Sequence, residues 1–185
     1  MKKILYSAFV ISLLGWGCTK ETRKQGASAH ELRMSITRLD PSLQRKVFRA
    51  QSAEVKSDIW KDKFENILSH EWSPAQLKMI NELKEEMAPQ LFVEGSAENL
   101  NFAKNFSPRW KERLKVAFGP ELAENLFGRL ENMGVAQRAI VGDPDCACSK
   151  NDDWCIGKTC TVGGCNTQNW GCGTIWIYYC TGICH

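Results

Sequence analysis

Eight cysteines within 39 consecutive positions constrain this 185-residue chain more than any other feature. That density is far above the level that marks a disulfide scaffold in a short secreted segment. A segment of this length buries too little apolar surface to fold unaided, so it needs covalent cross-links or a bound metal. The eight are Cys146, Cys148, Cys155, Cys160, Cys165, Cys172, Cys180 and Cys184.

The N-terminus indicates the compartment in which these cysteines fold. Lys2 and Lys3 precede an apolar run at residues 4–14, and Gly15 and Gly17 supply the small residues of a cleavage site. The apolar run spans about half a bilayer core, so we interpret residues 1–17 as a signal peptide and not as a transmembrane helix. The sequence therefore predicts an exported protein, and export brings the thiols into an oxidising environment where they pair.

The spacing of the tail cysteines favours disulfides over a zinc site. A structural zinc site usually has paired C-x2-C knuckles or cysteine and histidine at short spacing, and the tail has neither, with His185 its one histidine. Eight cysteines permit 105 pairings, and the sequence does not choose among them. Cys146 and Cys148 are one residue apart, so we expect them to bond to different partners.

Cys18 is a ninth, isolated cysteine near the predicted cleavage site. If it is the lipid-modified N-terminal residue of a bacterial lipoprotein, one cysteine is lipidated and eight are paired. Gly17 suits such a site, whereas Gly15 replaces the usual leucine and Trp16 is bulky. The alternative is ordinary cleavage that leaves a free thiol. We favour lipidation, with anchoring in the membrane through the acyl chains.

The middle of the chain is predicted to be helical. Asp40-Pro41, Ser73-Pro74 and Ser107-Pro108 each resemble an N-cap residue followed by proline at the first helical position. Apolar residues recur at helical spacing behind them, which predicts a small helical bundle. The predicted organisation is a signal peptide at 1–17, a lipidated N-terminus and tether at 18–29, a helical domain at 30–134, a linker at 135–145 and a cysteine-rich module at 146–185.

The cysteine-rich module is predicted to consist of loops and a little β-structure. Residues 174–180 form its one credible strand, because they are rich in β-branched and aromatic side chains. Some aromatic residues of the module would fill space between disulfides, and others would contact a membrane or a receptor. The candidates for such contacts are Trp154, Trp170, Trp176, Tyr178 and Tyr179.

Charge and motifs exclude several classes of function. Residues 146–185 carry Lys150 and Lys158 against Asp152 and Asp153, so their formal charge is zero and they lack the cationic surface that binds nucleic acid. No H-E-x-x-H, G-x-S-x-G or phosphate-loop motif occurs. We therefore predict a protein that is not an enzyme, with no catalytic residue, metal or cofactor.

The module resembles the family of bacteriocin fulvocin C-related proteins. The shared features are C-x-C-S at residues 146–149, an acidic and an aromatic residue before Cys155, and G-C-G-T-x-W at residues 171–176 with tyrosine before Cys180. They cover about 40 of the 185 residues, and Cys184 and His185 continue past the clearest match. The resemblance implies an antibacterial peptide carried by a helical leader.

Two functions follow as expectations. The first is the precursor of an exported, disulfide-stapled, bacteriocin-like peptide, whose partner is a target-cell membrane or an envelope receptor. The second is an uncleaved lipoprotein of the bacterial cell envelope, whose tail is a binding module. Cleavage between residues 134 and 145 would distinguish them.

Overall fold

A computed structural model describes residues 27–134, 146–165 and 170–185. The predicted signal peptide, Cys18 and the predicted linker at 135–145 lie outside these residues. The predicted fold class, a helical bundle followed by a small disulfide-rich module, is confirmed. The helices of the described part are α1 (Ala29–Ile36), α2 (Pro41–Arg49), α3 (Ala53–Leu68), α4 (Pro74–Glu85), α5 (Ala97–Asn101), α6 (Ser107–Phe118) and α7 (Pro120–Phe127).

The helix starts follow local capping chemistry. Ser73 caps α4, and the Gln76 side chain accepts a hydrogen bond from the Ser73 amide, which completes a capping box. Pro41 is the first residue of α2, as predicted, although the Asp40 side chain makes no capping hydrogen bond. Ser28 and Glu31 form a second capping box on α1, at the end of the predicted tether.

α6 begins at Ser107, but the predicted N-cap role of Ser107 is wrong. Residues 97–118 are helical throughout, and Phe102–Phe106 between α5 and α6 form a π-helical turn in which the Ser107 amide donates to the Phe102 carbonyl. Pro108 has no N–H and its ring crowds the carbonyl four residues earlier, and the wider turn accommodates both effects. The Ser107 side chain is consequently buried and does not act as a cap.

Helix α3 forms the centre of the bundle. It contacts α1, α4 and the 3-10 helix Pro89–Phe92, while α6 packs against α4 and α7. Ile59, Trp60, Phe64 and Ile67 lie on one face of α3 and are completely buried. Full burial of such a side chain contributes about 1.5–3 kcal/mol, so this face is a main source of the bundle's stability.

The module begins at Cys146 and contains two small antiparallel sheets. In one sheet β1 (Cys160–Val162) pairs with β4 (Gly182–Cys184), with Cys160 opposite Cys184. In the other β2 (Trp170–Cys172) pairs with β3 (Tyr178–Tyr179) across a register irregularity. β2 also contacts α2, so the module lies against the helical domain. Within the described residues, no helix has the length and apolarity that crossing a bilayer requires.

A buried polar cluster holds residues 130–132, which follow α7 at the end of the helical domain. The Arg33 guanidinium, 1% exposed, bonds to Asp62 at 2.6 Å and to the Leu130 carbonyl and the Asn132 side chain at 2.8 Å each. The Lys63 ammonium, completely buried, donates to the Glu131 carbonyl. These contacts fix residues 130–132 a few positions before the predicted linker.

Lys63 should make stability depend on pH. Burial, together with the nearby charge of Arg33, lowers the pKa of Lys63 to about 7. Between about pH 7 and 10 the folded protein then holds fewer protons here than the unfolded chain, so stability rises with pH. We expect the unfolding free energy of the natural protein to rise by about 1.4 kcal/mol per pH unit relative to Lys63→Met between pH 7.5 and 9. Denaturant titrations at several pH values measure this slope, and parallel profiles would contradict it.

Candidate functional site

Four disulfides pair all eight cysteines of the module, which confirms the prediction. Cys146 and Cys148 bond to different partners, as expected, and the partners are now defined. The bonds are Cys146–Cys165, Cys148–Cys160, Cys155–Cys184 and Cys172–Cys180. The sulfur atoms of Cys148, Cys155 and Cys184 lie within 4.8 Å of one another because two disulfides pack side by side. All four bonds lie within residues 146–185, so none ties the module to the helical domain.

Alkylation tests this arrangement directly. With Cys18→Ala removing the remaining cysteine, we expect iodoacetamide to add no group to the unreduced protein in denaturant. After reduction it should add eight, because every tail thiol is then free. Intact-mass spectrometry counts the adducts. Eight adducts without reduction would show free thiols and would contradict the disulfides.

The predicted strand at residues 174–180 is wrong over most of its length. Thr174–Trp176 form a 3-10 turn, and only Tyr178–Tyr179 pair as a strand. Ile175 and Trp176 have positive φ angles of 47° and 60°, which β-branched and bulky residues rarely adopt. Such a conformation persists only when its surroundings hold it, and it lets Ile175 and Trp176 both become buried instead of alternating between two faces.

Trp176 inserts into the helical domain. Its ring meets Phe48 edge-on at a centroid distance of 5.3 Å and Trp60 at 6.3 Å, and its indole nitrogen donates to the Gly128 carbonyl at 2.7 Å. Ile175 and Ile177 are buried in the same apolar core as α3 and α7. The module and the helical domain therefore share one core, whereas the sequence predicted two parts joined by a linker.

Tyr178 and Tyr179 have contrasting environments. Tyr178 is 6% exposed, and its hydroxyl donates to the Ala103 carbonyl at 3.4 Å. Burial, reinforced by the negative charge of Asp152, raises the pKa of Tyr178, so the hydroxyl remains a donor at physiological pH. Tyr179 is 44% exposed and its hydroxyl bonds to Glu94.

The five predicted contact residues thus divide into two groups in the intact chain. Trp176 and Tyr178 are buried against the helical domain. Trp154 and Trp170 are half-buried, and Tyr179 is exposed. Only the last three are substantially exposed, so Trp176 and Tyr178 could present their packed faces to a membrane or a receptor protein only after the module separates from the helical domain.

An ion pair, which we call the latch, links α6 to the module. The Lys111 ammonium bonds to the Asp152 carboxylate and, at 2.5 Å, to the Asp153 carbonyl. The other Asp152 oxygen accepts from the Thr174 amide at 2.5 Å, so the latch reaches the start of the inserted turn. The side chains of Lys111 and Asp152 are 7% and 2% exposed. Asp152 is therefore buried, although two consecutive aspartates are typical of a solvated turn.

Burial lowers the pKa of Lys111, and the carboxylate of Asp152 opposes this effect. The ammonium also lies 4.3 Å from the centre of the Trp154 ring, a cation–π contact. The Trp154 indole nitrogen in turn donates to the Thr174 hydroxyl at 3.2 Å. Trp154 therefore belongs to the junction between the two parts and does not stand free.

Asp153 organises the disulfide loops beside the latch. Its carboxylate accepts from the amide of Cys155 at 2.7 Å and from the amide of Cys160 at 2.9 Å. These bonds satisfy two backbone donors in a segment with little regular structure. The acidic residue that precedes the aromatic residue and Cys155 in the sequence motif thus has a structural role.

Sequence reasoning missed Lys111, although a signal was present. Lys111 lies next to Trp110 and is spaced three and seven residues from Leu114 and Phe118, so it shares their buried face of α6. A lysine that stays charged on an apolar face needs an anionic partner, because an unpaired buried charge is costly. The distance between positions 111 and 152 along the chain left that partner unidentified.

No family model, no curated protein and no solved structure matches the chain. The resemblance to the bacteriocin fulvocin C-related family therefore rests on the tail motifs alone. The four disulfides are compatible with an exported protein, since such bonds persist in oxidising compartments.

Proposed function

We propose that the chain is the precursor of an exported, disulfide-stapled antibacterial peptide, and that the helical domain carries this peptide in a masked form. The observation that carries the proposal is the insertion of residues 174–178 into the helical core. Buried side chains cannot contact a target. Activity then requires cleavage before Cys146 and separation of the two parts.

The masked surface has the character of a contact surface. Separation would expose Ile175, Trp176, Ile177 and Tyr178 together on one short turn. Large contiguous apolar patches on secreted proteins mark sites of interaction with membranes or other proteins. Tryptophan and tyrosine suit both the bilayer interface and a receptor pocket. The disulfides would keep the released peptide folded while it diffuses.

The charge of the peptide separates it from cationic lytic peptides. With a formal charge of zero, residues 146–185 have no net attraction to anionic lipid. We therefore propose an apolar or receptor-mediated contact with the target cell. Killing should change little between low and physiological salt, because salt screens only the charge attraction.

The test is a growth-inhibition panel on bacteria related to the producer. The oxidised peptide 146–185, its reduced form and the intact protein are compared at equal concentration and at two salt concentrations. We expect inhibition by the oxidised peptide alone, because reduction unfolds it and the intact chain masks it. An inert oxidised peptide on every relative, with no processed form in culture, would count against the precursor.

Anchoring through Cys18 is part of the same proposal. Its support is the ninth cysteine and the small residue before it, and a lipoprotein's acyl chains suffice for a stable anchor. We expect labelled fatty acid to enter the natural chain and to be lost in Cys18→Ala. Equal partitioning of both proteins into the aqueous phase of a detergent separation would contradict lipidation.

The buried latch supports a second candidate function, an uncleaved envelope lipoprotein with a binding module. A shared core and a buried ion pair stabilise the joined state, and Trp170 and Tyr179 remain available at the surface of that state. Mass spectrometry of envelope and culture fractions distinguishes the candidates. Full-length protein alone favours the binding module, and a fragment beginning near residue 146 favours the precursor.

A further inference from the structure

A cleft lies where α2 and the 3-10 helix Pro89–Phe92 meet the module. Its volume is about 250 Å³. Phe48 and Phe92 of the helical domain face Trp170 and Trp176 of the module around it. The Phe48 ring meets Phe92 edge-on at 6.2 Å and Trp176 at 5.3 Å. Four aromatic rings around a space of this size suit a small planar ligand.

Two basic side chains line the same cleft. Arg49 ends α2 and Lys56 lies in the first turns of α3, and both are half-buried. Neither makes an ion pair within the described parts of the chain. Burial and the charge of Arg49 lower the pKa of Lys56, and no carboxylate offsets this. The acidic lining residue, Glu94, already bonds to the Tyr179 hydroxyl. An incoming anion would therefore relieve an unfavourable pair of like charges.

A larger cleft, which shares Gly171 and Trp176 with the smaller one, does not combine aromatic walls with charge of one sign. Its volume is about 1250 Å³, and its lining mixes both signs of charge. The basic residues are Arg38, Arg45, Arg129 and Lys158, and the acidic residues are Glu124, Glu131 and Asp152. Of the two clefts, the smaller one combines aromatic walls with the two basic side chains, Arg49 and Lys56, that form no ion pair in the described parts of the chain.

We infer that the smaller cleft binds a small aromatic carboxylate, with its ring against the aromatic walls and its carboxylate against Arg49 and Lys56. Guanidinium and carboxylate groups form paired, charge-assisted hydrogen bonds, which orient a planar ligand. Half of the aromatic walls come from each part of the chain. The site is therefore complete only while the module is docked, and its ligand stabilises the docked state by mass action. This inference stands whether or not the tail is antibacterial.

The test uses indole-3-acetate as the probe and indole-3-acetamide as its uncharged match, with inorganic phosphate as a bare anion. Calorimetry on the intact, oxidised protein should give a dissociation constant below about 1 mM for indole-3-acetate, which corresponds to a binding free energy of about −4 kcal/mol or better. The amide should bind at least about tenfold more weakly, since it loses the charge-assisted bonds. Saturating carboxylate should also raise the melting temperature.

Variants assign the site. Arg49→Gln and Lys56→Gln should each weaken carboxylate binding about tenfold or more, which is the loss expected for a hydrogen bond to a charged group. Lys78→Gln makes the same change in net charge at an exposed position of α4 and should bind as the natural protein does. Circular dichroism melting confirms that each variant is folded. Equal binding of acid and amide, tighter binding of phosphate, or no binding at millimolar concentration would overturn the inference.

Discussion

Replacing Trp176 by alanine is expected to lower the unfolding free energy of the intact protein by about 3–5 kcal/mol, the usual cost of truncating a buried tryptophan. Trp176 is 7% exposed, packs against Phe48 and Trp60, and satisfies the Gly128 carbonyl. The substitution removes the contacts with the rings of Phe48 and Trp60 and leaves a cavity where the module meets the helical domain. Denaturant unfolding monitored by circular dichroism measures the loss.

Tyr179→Ala is the matched control for this prediction. Tyr179 is also an aromatic residue of the module, three positions away, but it is 44% exposed. Its truncation should cost about 1 kcal/mol or less, because substitutions at exposed positions that lose only surface contacts have small effects. Equal losses in the two variants would show that Trp176 is not buried in a shared core. Disulfide pairing should be checked in both by intact mass without reduction.

Lys111→Met is expected to destabilise the protein by about 3–5 kcal/mol, because it leaves the buried carboxylate of Asp152 without its counter-charge. Asp152→Asn should cost a similar amount through the unpaired ammonium. The double variant should be more stable than the sum of the two losses implies, since it contains neither charge. A double-mutant cycle by denaturant unfolding gives the coupling, expected to be about 2 kcal/mol or more.

The control for the latch is another ion pair on α6. Arg113 bonds to Glu82 at 2.7 Å, and their side chains are 54% and 26% exposed. Because solvent screens this pair, Arg113→Met should cost less than about 1 kcal/mol. A coupling near zero between Lys111 and Asp152, or a loss no larger than that of Arg113→Met, would contradict a buried latch.

Short-range sequence signals predicted the helices of the helical domain well. They failed where tertiary contacts determine the local structure. Ser73 with Gln76, and Pro41 at the first helical position, are short-range signals that the structure confirms. Ser107-Pro108 carries a similar signal, yet packing of Phe102 and Trp110 in the core continues the helix through it. The wider π-helical turn that makes this possible has no short-range sequence signature.

The module shows the same division. Cysteine density predicted the disulfides, but their pairing depends on the path of the whole segment. The β-branched and aromatic residues at 174–180 favoured a strand, and the structure uses them as an inserted turn. Burial against the helical domain compensates for the unfavourable positive φ angles of Ile175 and Trp176. Strand propensities do not include this stabilisation, because it comes from residues far away in the chain.

The central claim is that the module docks on the helical domain through a shared core. It is tested most directly by cutting the chain between the two parts. A protease site placed within residues 135–145 is cleaved in the oxidised protein, and the products are separated by size under native conditions. No described disulfide joins the two parts, so only non-covalent contacts can hold them. We predict that the fragments co-elute at micromolar concentration and that Trp176→Ala separates them; fragments of the natural sequence that elute apart would contradict the claim.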